Sequence, residues 1–123
     1  MKRFSPARAA AIDKIKYFYI RAGDDHRFVP IWVVVVDGRV LVRPWNDKPG
    51  GWYRAFLKNP RGAIKIGDTE VPVHALRVRS ANLSDAVDSA YGEKYTSRAN
   101  QKYVKGFATT KRKATTTELV PAR

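Results

Sequence analysis

The dipeptide Asp37-Gly38 lies between two runs of β-forming residues, and it constrains the fold of this 123-residue chain more than any other feature. An Asp-Gly pair tolerates positive φ at both positions and is typical of a two-residue hairpin turn. Apolar residues fill positions 31–36 before the pair and positions 40–42 after it. Because the first of these strands is apolar on both faces, we expect it to be central and covered on both sides.

The hairpin pattern recurs around Gly67-Asp68, which predicts strands at residues 63–66 and 71–78. Pro72 lies within the second of these strands, which indicates an edge or a bulge because proline lacks a backbone N–H. Aromatic and β-branched residues predict two further strands, at residues 17–20 and 115–120.

Helical signals are fewer than strand signals. Ser5-Pro6 combines a capping oxygen with a proline suited to the first helical position, and residues 52–57 place their apolar side chains on one face. A third helix is predicted to begin near Ser84-Asp85, whereas residues 96–113 are polar and basic without a regular period. A sheet of about six strands with few helices is expected to curl into a barrel. We therefore predict one α+β domain, residues 1–123: a small six-stranded antiparallel β-barrel with two or three short flanking helices.

The charge of the chain favours an anionic partner. Lysine and arginine total 24 against 11 acidic residues, which gives a formal net charge of +13. Such an excess concentrates phosphorylated cofactors, nucleic acid or acidic lipid near the surface. Charge alone does not choose among these partners or exclude simple solvation.

Several classes of function and location lack support in the sequence. There is no cysteine, and His26 and His74 are the only histidines, so no metal site is predicted. No nucleophile elbow or glycine-rich phosphate loop is present, so no catalytic residue is nominated. The longest apolar run is residues 29–36, far short of the roughly 20 residues that span a membrane. Because no apolar leader follows Met1 either, we expect a cytoplasmic protein without membrane association.

One segment has the chemistry of an anion site. Basic and amide side chains follow the end of a predicted strand, and a helix opens directly after Gly50-Gly51. Cations and a helix N-terminus suit a phosphate, while indole rings can stack on a flat ring. The candidate residues are Arg43, Trp45, Asn46, Lys48, Trp52 and Arg54. The alternative is that the tryptophans anchor the core and the charged side chains are merely solvated.

The order of motifs resembles that of the split-barrel superfamily, which includes pyridoxamine phosphate oxidases and deazaflavin-dependent nitroreductases. The segment His26-Arg27-Phe28-Val29-Pro30-Ile31-Trp32 precedes the Asp37-Gly38 hairpin, and Trp52-Tyr53 opens a helix that ends at Asn59-Pro60. The nitroreductases share the Arg-x-x-Pro and Trp-Tyr to Asn-Pro patterns, which recur here over residues 27–78. Within the superfamily, the chain is most similar to a bacterial family of unknown function, including the closing Ala114-Thr115-Thr116.

This resemblance implies a six-stranded split barrel with a cofactor pocket at its wall, often between two subunits of a homodimer. Arg27 and the loop carrying Asn46 and Lys48 would face the cofactor phosphate, and Trp52 would mainly pack the helix. The chain departs from the nitroreductases at Asp24-Asp25, where they carry a loop rich in glycine, arginine and lysine. Since carboxylates repel a phosphate, three alternatives stay open: a shifted cofactor, another ligand, or loss of cofactor binding.

Two functions follow. The first is binding of FMN or a deazaflavin, with a reductase activity if the protein is an enzyme; Arg27, Arg43 and Lys48 would grip the phosphate, and Trp32 and Trp45 would form the apolar wall. The second is a barrel without cofactor that binds nucleic acid or another polyanion, because aromatic residues interleaved with basic ones can stack on bases.

Overall fold

One antiparallel sheet forms the centre of the fold, in a computed structural model that describes residues 2–122. Seven strands pair in the order β2-β1-β5-β6-β7-β4-β3. The strands are β1 (Tyr17–Ala22), β2 (Val29–Trp32), β3 (Val34–Val36), β4 (Arg39–Val42), β5 (Arg61–Ile66), β6 (Thr69–Arg77) and β7 (Thr117–Pro121). The helices are α1 (Pro6–Lys14), α2 (Trp52–Lys58), α3 (Ala81–Lys94), α4 (Gln101–Phe107) and α5 (Thr110–Lys113). The α+β class is confirmed, whereas the predicted counts of six strands and two or three helices are too low.

The sheet is nearly closed into a barrel by a single long segment. β2 and β3 lie at opposite ends of the strand order, yet only Val33 separates them along the chain. The Val33 amide donates to the hydroxyl of Tyr95 at 3.1 Å, and its carbonyl accepts from Lys94 Nζ at 2.7 Å. Because side chains satisfy Val33 in place of a strand ladder, the predicted single strand becomes two. Residues 31–32 and 34–36 lie in the two terminal strands of the order, so the expectation of a central strand is wrong. The expected cover on both faces is confirmed, since Ile31 and Val35 pack against one apolar cluster and Val34 belongs to the other.

Both predicted hairpins are present. Asp37 and Gly38 have φ angles of 51° and 75°, as the Asp-Gly turn requires, and they join β3 to β4. The second turn joins β5 to β6, with Gly67 at φ 58°. Pro72 lies in β6 just before Val73, the first residue of that strand paired with β7, so it removes no hydrogen bond from that ladder.

Two apolar layers hold the helices on the sheet. Strand residues alternate, so that Val40 and Val42 face the barrel interior while Leu41 faces outward. The interior cluster includes Ile12, Phe18, Ile20, Val40, Val42, Phe56, Ile64, Val73 and Leu119. The outer cluster packs α3 and α4 against β3 and β4 through Val34, Leu41, Leu83, Val87, Tyr91, Tyr95 and Phe107.

The second half of the chain contains more helix than the sequence indicates. Helix α3 begins at Ala81 and is capped by Ser80, whose side chain accepts from the amide of Leu83. The predicted start near Ser84-Asp85 is therefore too late by about one turn. A 3-10 turn at Arg98–Asn100 leads into α4, and α5 follows, in a region with no predicted period. None of the helices within residues 2–122 combines the length and apolar character that a membrane crossing requires.

Candidate functional site

A groove of about 420 Å³ lies where the β1–β2 loop meets the loop between β4 and α2. Arg27 reaches it from the first loop, and Asn46 and Lys48 reach it from the second. Trp45 and Trp52 add aromatic surface to the wall. Five of the eight residues nominated from the sequence are thus brought together by two loops that lie about 20 positions apart in the chain.

The cations of the groove are available to a ligand. Arg27 and Lys48 are exposed, and neither forms an ion pair with another residue of the described chain. The one carboxylate of the second loop, Asp47, is held by Arg54 through contacts of 2.6 and 3.2 Å. Arg54 is thereby paired with Asp47 and does not line the groove. The structure therefore gives no support for the expected contact between Arg54 and a ligand.

The two carboxylates that break the resemblance do not line this groove. Asp24 and Asp25 border a different pocket, of about 410 Å³, together with Arg61 on β5. The next residue, His26, turns back to the groove and holds its Nδ1 atom 3.0 Å from the carbonyl of Ala22. The chain therefore separates the acidic and basic parts of the β1–β2 loop onto two pockets.

An aromatic cavity of about 240 Å³ adjoins the groove. Pro30, Ile31 and Trp45 line both spaces, which makes Trp45 part of the wall between them. The remaining lining residues of the cavity are Trp32, Arg43, Tyr103 and Phe107. Trp32 and Trp45, both nominated for an apolar wall, therefore meet in this cavity.

Trp32 is fixed by stacking. Its ring lies parallel to that of Tyr95, with centroids 3.9 Å apart and an interplanar angle of 3°. The hydroxyl of Tyr95 is held at the barrel seam, by which we mean the junction of β2 and β3 at Val33. It accepts from the Val33 amide and donates to the carbonyl of Lys16. The hydrogen bonds of Tyr95 therefore also fix the position of Trp32 in the cavity wall.

Trp45 is held from its other face by α4 and α5. The guanidinium of Arg112 lies 3.7 Å from the ring centroid, and its Nε donates to the Trp45 carbonyl at 2.7 Å. A Cβ added at Gly106 would approach the ring to 2.5 Å, so only glycine fits beneath it. Trp45 nevertheless remains 40% exposed, which leaves its groove side free.

Arg43 lines the cavity but has no donor to offer. It is only 1% exposed, and a guanidinium carries five N–H donors. Nε donates to Thr116 Oγ1 at 2.8 Å, and Nη1 donates to Asp88 at 2.5 Å and to the Phe107 carbonyl at 2.8 Å. Nη2 donates to the carbonyl and the hydroxyl of Ser84 at 2.8 and 3.1 Å. All five donors are used within the protein, so the expected phosphate contact from Arg43 is not available.

Sequence reasoning missed three residues that shape the site. Tyr103 and Phe107 project from α4 into the cavity, and Arg112 supports Trp45. The available signal was the four-residue spacing of Tyr103 and Phe107, which places them on one helix face. The polar residues around them obscured that spacing.

The donor set of the groove has the chemistry of a site for a phosphorylated, flat-ringed ligand. Two unpaired cations and an amide suit a phosphate, and the indoles of Trp45 and Trp52 provide surface for a ring. Residues 2–122 contain no cluster of three or more histidine, cysteine or acidic side chains able to hold a metal. Arg27, Asn46 and Lys48 are the side chains of the groove that are placed to hold a phosphate.

Comparison with known proteins places the chain in a family. The fold is similar to that in the crystal structure of the conserved hypothetical protein Rv2991 from Mycobacterium tuberculosis, with a TM-score of 0.58 over 100% of this chain and 87% of that one. At 17% sequence identity, this likeness shows a shared fold alone. No curated protein matches the chain. The family described as "Uncharacterized protein conserved in bacteria (DUF2255)" matches residues 8–119, in agreement with the expected bacterial family of unknown function, and the chain therefore belongs to the DUF2255 family.

Proposed function

We propose that this protein is a member of the split-barrel superfamily and binds FMN or a deazaflavin in the groove, as part of a reductase. The observation that carries the proposal is the convergence of Arg27, Asn46 and Lys48 beside aromatic walls, with both cations unpaired. A volume of about 420 Å³ lies within the range of small-molecule sites, which is roughly 300–1,000 Å³.

The protein's own residues would bind and orient the nucleotide. The cofactor, when bound, supplies the redox chemistry, so no catalytic acid or base is required from the chain. Arg27 and Lys48 would neutralise the phosphate, while Trp45 would exclude water from one side of the ring. Separation of Asp24 and Asp25 onto another pocket removes the main objection to a phosphate here.

Titration of the purified protein with FMN, and separately with a deazaflavin, tests the proposal by fluorescence quenching. The double variant Arg27→Ala, Lys48→Ala should bind at least about tenfold more weakly, since each charge-assisted hydrogen bond contributes on the order of 1.5–3 kcal/mol. A matched control, Lys58→Ala with Arg77→Ala, removes the same charge from exposed positions outside the groove. Absence of quenching at micromolar nucleotide, or equal weakening in both double variants, would refute the proposal.

A second candidate is binding of single-stranded nucleic acid at α4 and the neighbouring Trp45. Tyr103 is 37% exposed with Lys102 Nζ 5.0 Å from its ring, and Trp45 is stacked on Arg112. Exposed rings beside cations can stack on bases. Oligonucleotide binding that weakens steeply with salt would favour this candidate over the nucleotide cofactor.

We include a homodimer in the proposal. The outward face of β1 exposes Tyr17 and Tyr19, whose rings meet edge to face at 5.8 Å. Exposed aromatic residues on a strand face are typical of subunit contacts. Size-exclusion chromatography with light scattering gives the mass directly, and a monomer at every concentration would contradict a dimer.

A further inference from the structure

The aromatic cavity has walls that are set before any ligand arrives. Tyr103 meets Trp32 at 6.0 Å and Trp45 at 5.1 Å, both nearly edge to face. Phe107 meets Trp45 at 5.2 Å and an angle of 80°, and it stacks on Tyr91 behind it at 4.8 Å. Rings held at right angles to one another present both faces and edges to the space between them, which suits another ring.

The lining offers almost no partner for a charge. Arg43 is saturated by internal acceptors, and Pro30, Ile31 and Phe107 are apolar. An anion entering the cavity would lose water and meet no free cation among the lining residues, which offer only neutral donors such as the Tyr103 hydroxyl; this is costly even in a protein of net charge +13. A neutral molecule incurs no such cost. The cavity and the groove therefore select opposite kinds of chemistry.

The size of the cavity limits the ligand. An engineered apolar cavity of roughly 150 Å³ holds benzene. The present space of about 240 Å³ is larger and opens toward the groove along Pro30, Ile31 and Trp45. It accommodates a flat molecule of about two fused rings.

We propose that the cavity formed by Trp32, Trp45, Tyr103 and Phe107 is a second binding site, and that its ligand is a neutral, flat, two-ring aromatic molecule. Binding there does not require a nucleotide in the groove. Its use as the substrate site of a reductase does rest on the proposed function, because a ligand in the cavity would lie next to a nucleotide bound in the groove, on the other side of Trp45.

Calorimetric titration with 2-naphthol at neutral pH tests this site in the absence of nucleotide. We expect saturable binding, weakened at least about fivefold by Tyr103→Ala and restored by Tyr103→Phe, which keeps the ring. Tyr17→Ala is the matched control, since Tyr17 is also exposed, at 47%, but lies outside the cavity. Its affinity should equal that of the unmodified protein.

The charge requirement has a separate test in 2-naphthoate, which has the same rings and a carboxylate. We expect it to bind at least about fivefold more weakly than 2-naphthol, although the protein is strongly basic. Equal or tighter binding of 2-naphthoate, no binding of 2-naphthol, or the same loss in Tyr17→Ala would overturn the proposal. Naphthol binding without FMN or deazaflavin binding would instead refute the proposed function and leave the cavity site intact.

Discussion

Arg27 in the groove and Arg43 beside the cavity begin as equivalent residues in the sequence, each predicted to grip a phosphate. In the folded chain Arg27 is exposed without an ion pair, whereas Arg43 is buried with all five donors used. The difference is one of hydrogen-bond occupancy: a saturated guanidinium organises the fold, and an unsaturated one can bind a ligand. Position alone does not distinguish the two arginines, because Arg27 lines the groove and Arg43 lines the cavity.

The largest effect is expected from Arg43→Met. Removing five donors leaves the Ser84 and Phe107 carbonyls and part of Asp88 without partners, so the free energy of unfolding should fall by roughly 3 kcal/mol or more. Urea unfolding followed by circular dichroism measures it. The control Arg77→Met, at an exposed arginine of β6, should change stability by less than about 0.5 kcal/mol. Equal effects at both positions would contradict the structural role of Arg43.

Gly106→Ala tests the boundary between the two regions. The added Cβ would lie 2.5 Å from Trp45, so the ring must move and stability should fall by about 1–3 kcal/mol. A shift in tryptophan fluorescence would accompany the loss. In Gly92→Ala the nearest atom is Val104 Cγ1 at 3.9 Å, and this control in helix α3 should gain about 0.5–1 kcal/mol. Parallel changes in the two variants would rule out the close packing under Trp45.

Tyr95→Phe removes a hydroxyl that, like the Arg43 guanidinium, is fully hydrogen-bonded within the protein, but at the barrel seam. The Val33 amide loses its acceptor, so the free energy of unfolding should fall by roughly 1–2 kcal/mol. Burial raises the pKa of Tyr95 to about 12. The hydroxyl's contribution is therefore complete below the ordinary tyrosine pKa of about 10 and is lost as the pH rises from about 10 toward 12.

The measurement is the stability of Tyr95→Phe relative to the unmodified protein at several pH values. The difference should be constant near neutrality and shrink above about pH 10. A difference that grows with pH would show that the hydroxyl is not protonated at the seam. Tyr17→Phe, at an exposed position, is the control and should show little difference at any pH.

The smallest effect on stability is expected from Arg27→Ala with Lys48→Ala. Both side chains are exposed and unpaired, so unfolding should change by less than about 0.5 kcal/mol. Nucleotide affinity should nevertheless fall. If stability falls by as much as in Arg43→Met, the contrast between occupied and free arginines fails.

Local signals in the sequence predicted the features that depend on neighbours in the chain. The turns at Asp37-Gly38 and Gly67-Asp68 need only their own backbone preferences, and both hairpins were predicted. The state of Arg43 was not predictable, because its acceptors on Ser84 and Asp88 lie 41 and 45 positions away. No pattern along the chain reports such a contact.

The candidate site divides in the same way. Asn46 and Lys48 were nominated because they follow the end of a predicted strand, whereas Arg27 was nominated only from the resemblance to the nitroreductases; all three line the groove. The aromatic cavity was only half predicted, since α4 is short and its polar residues mask the spacing of Tyr103 and Phe107. Packing on the barrel, rather than intrinsic propensity, stabilises such a helix.

The position of β7 has a consequence for how the chain is made. This strand, at Thr117–Pro121, fills the middle of the sheet between β6 and β4, and Leu119 pairs with Val40. During synthesis, β4 and β6 are therefore translated before their common neighbour, and their facing edges stay unpaired until β7 follows. Folding can be completed only after translation of residue 121, and nascent chains are open to strand exchange until then.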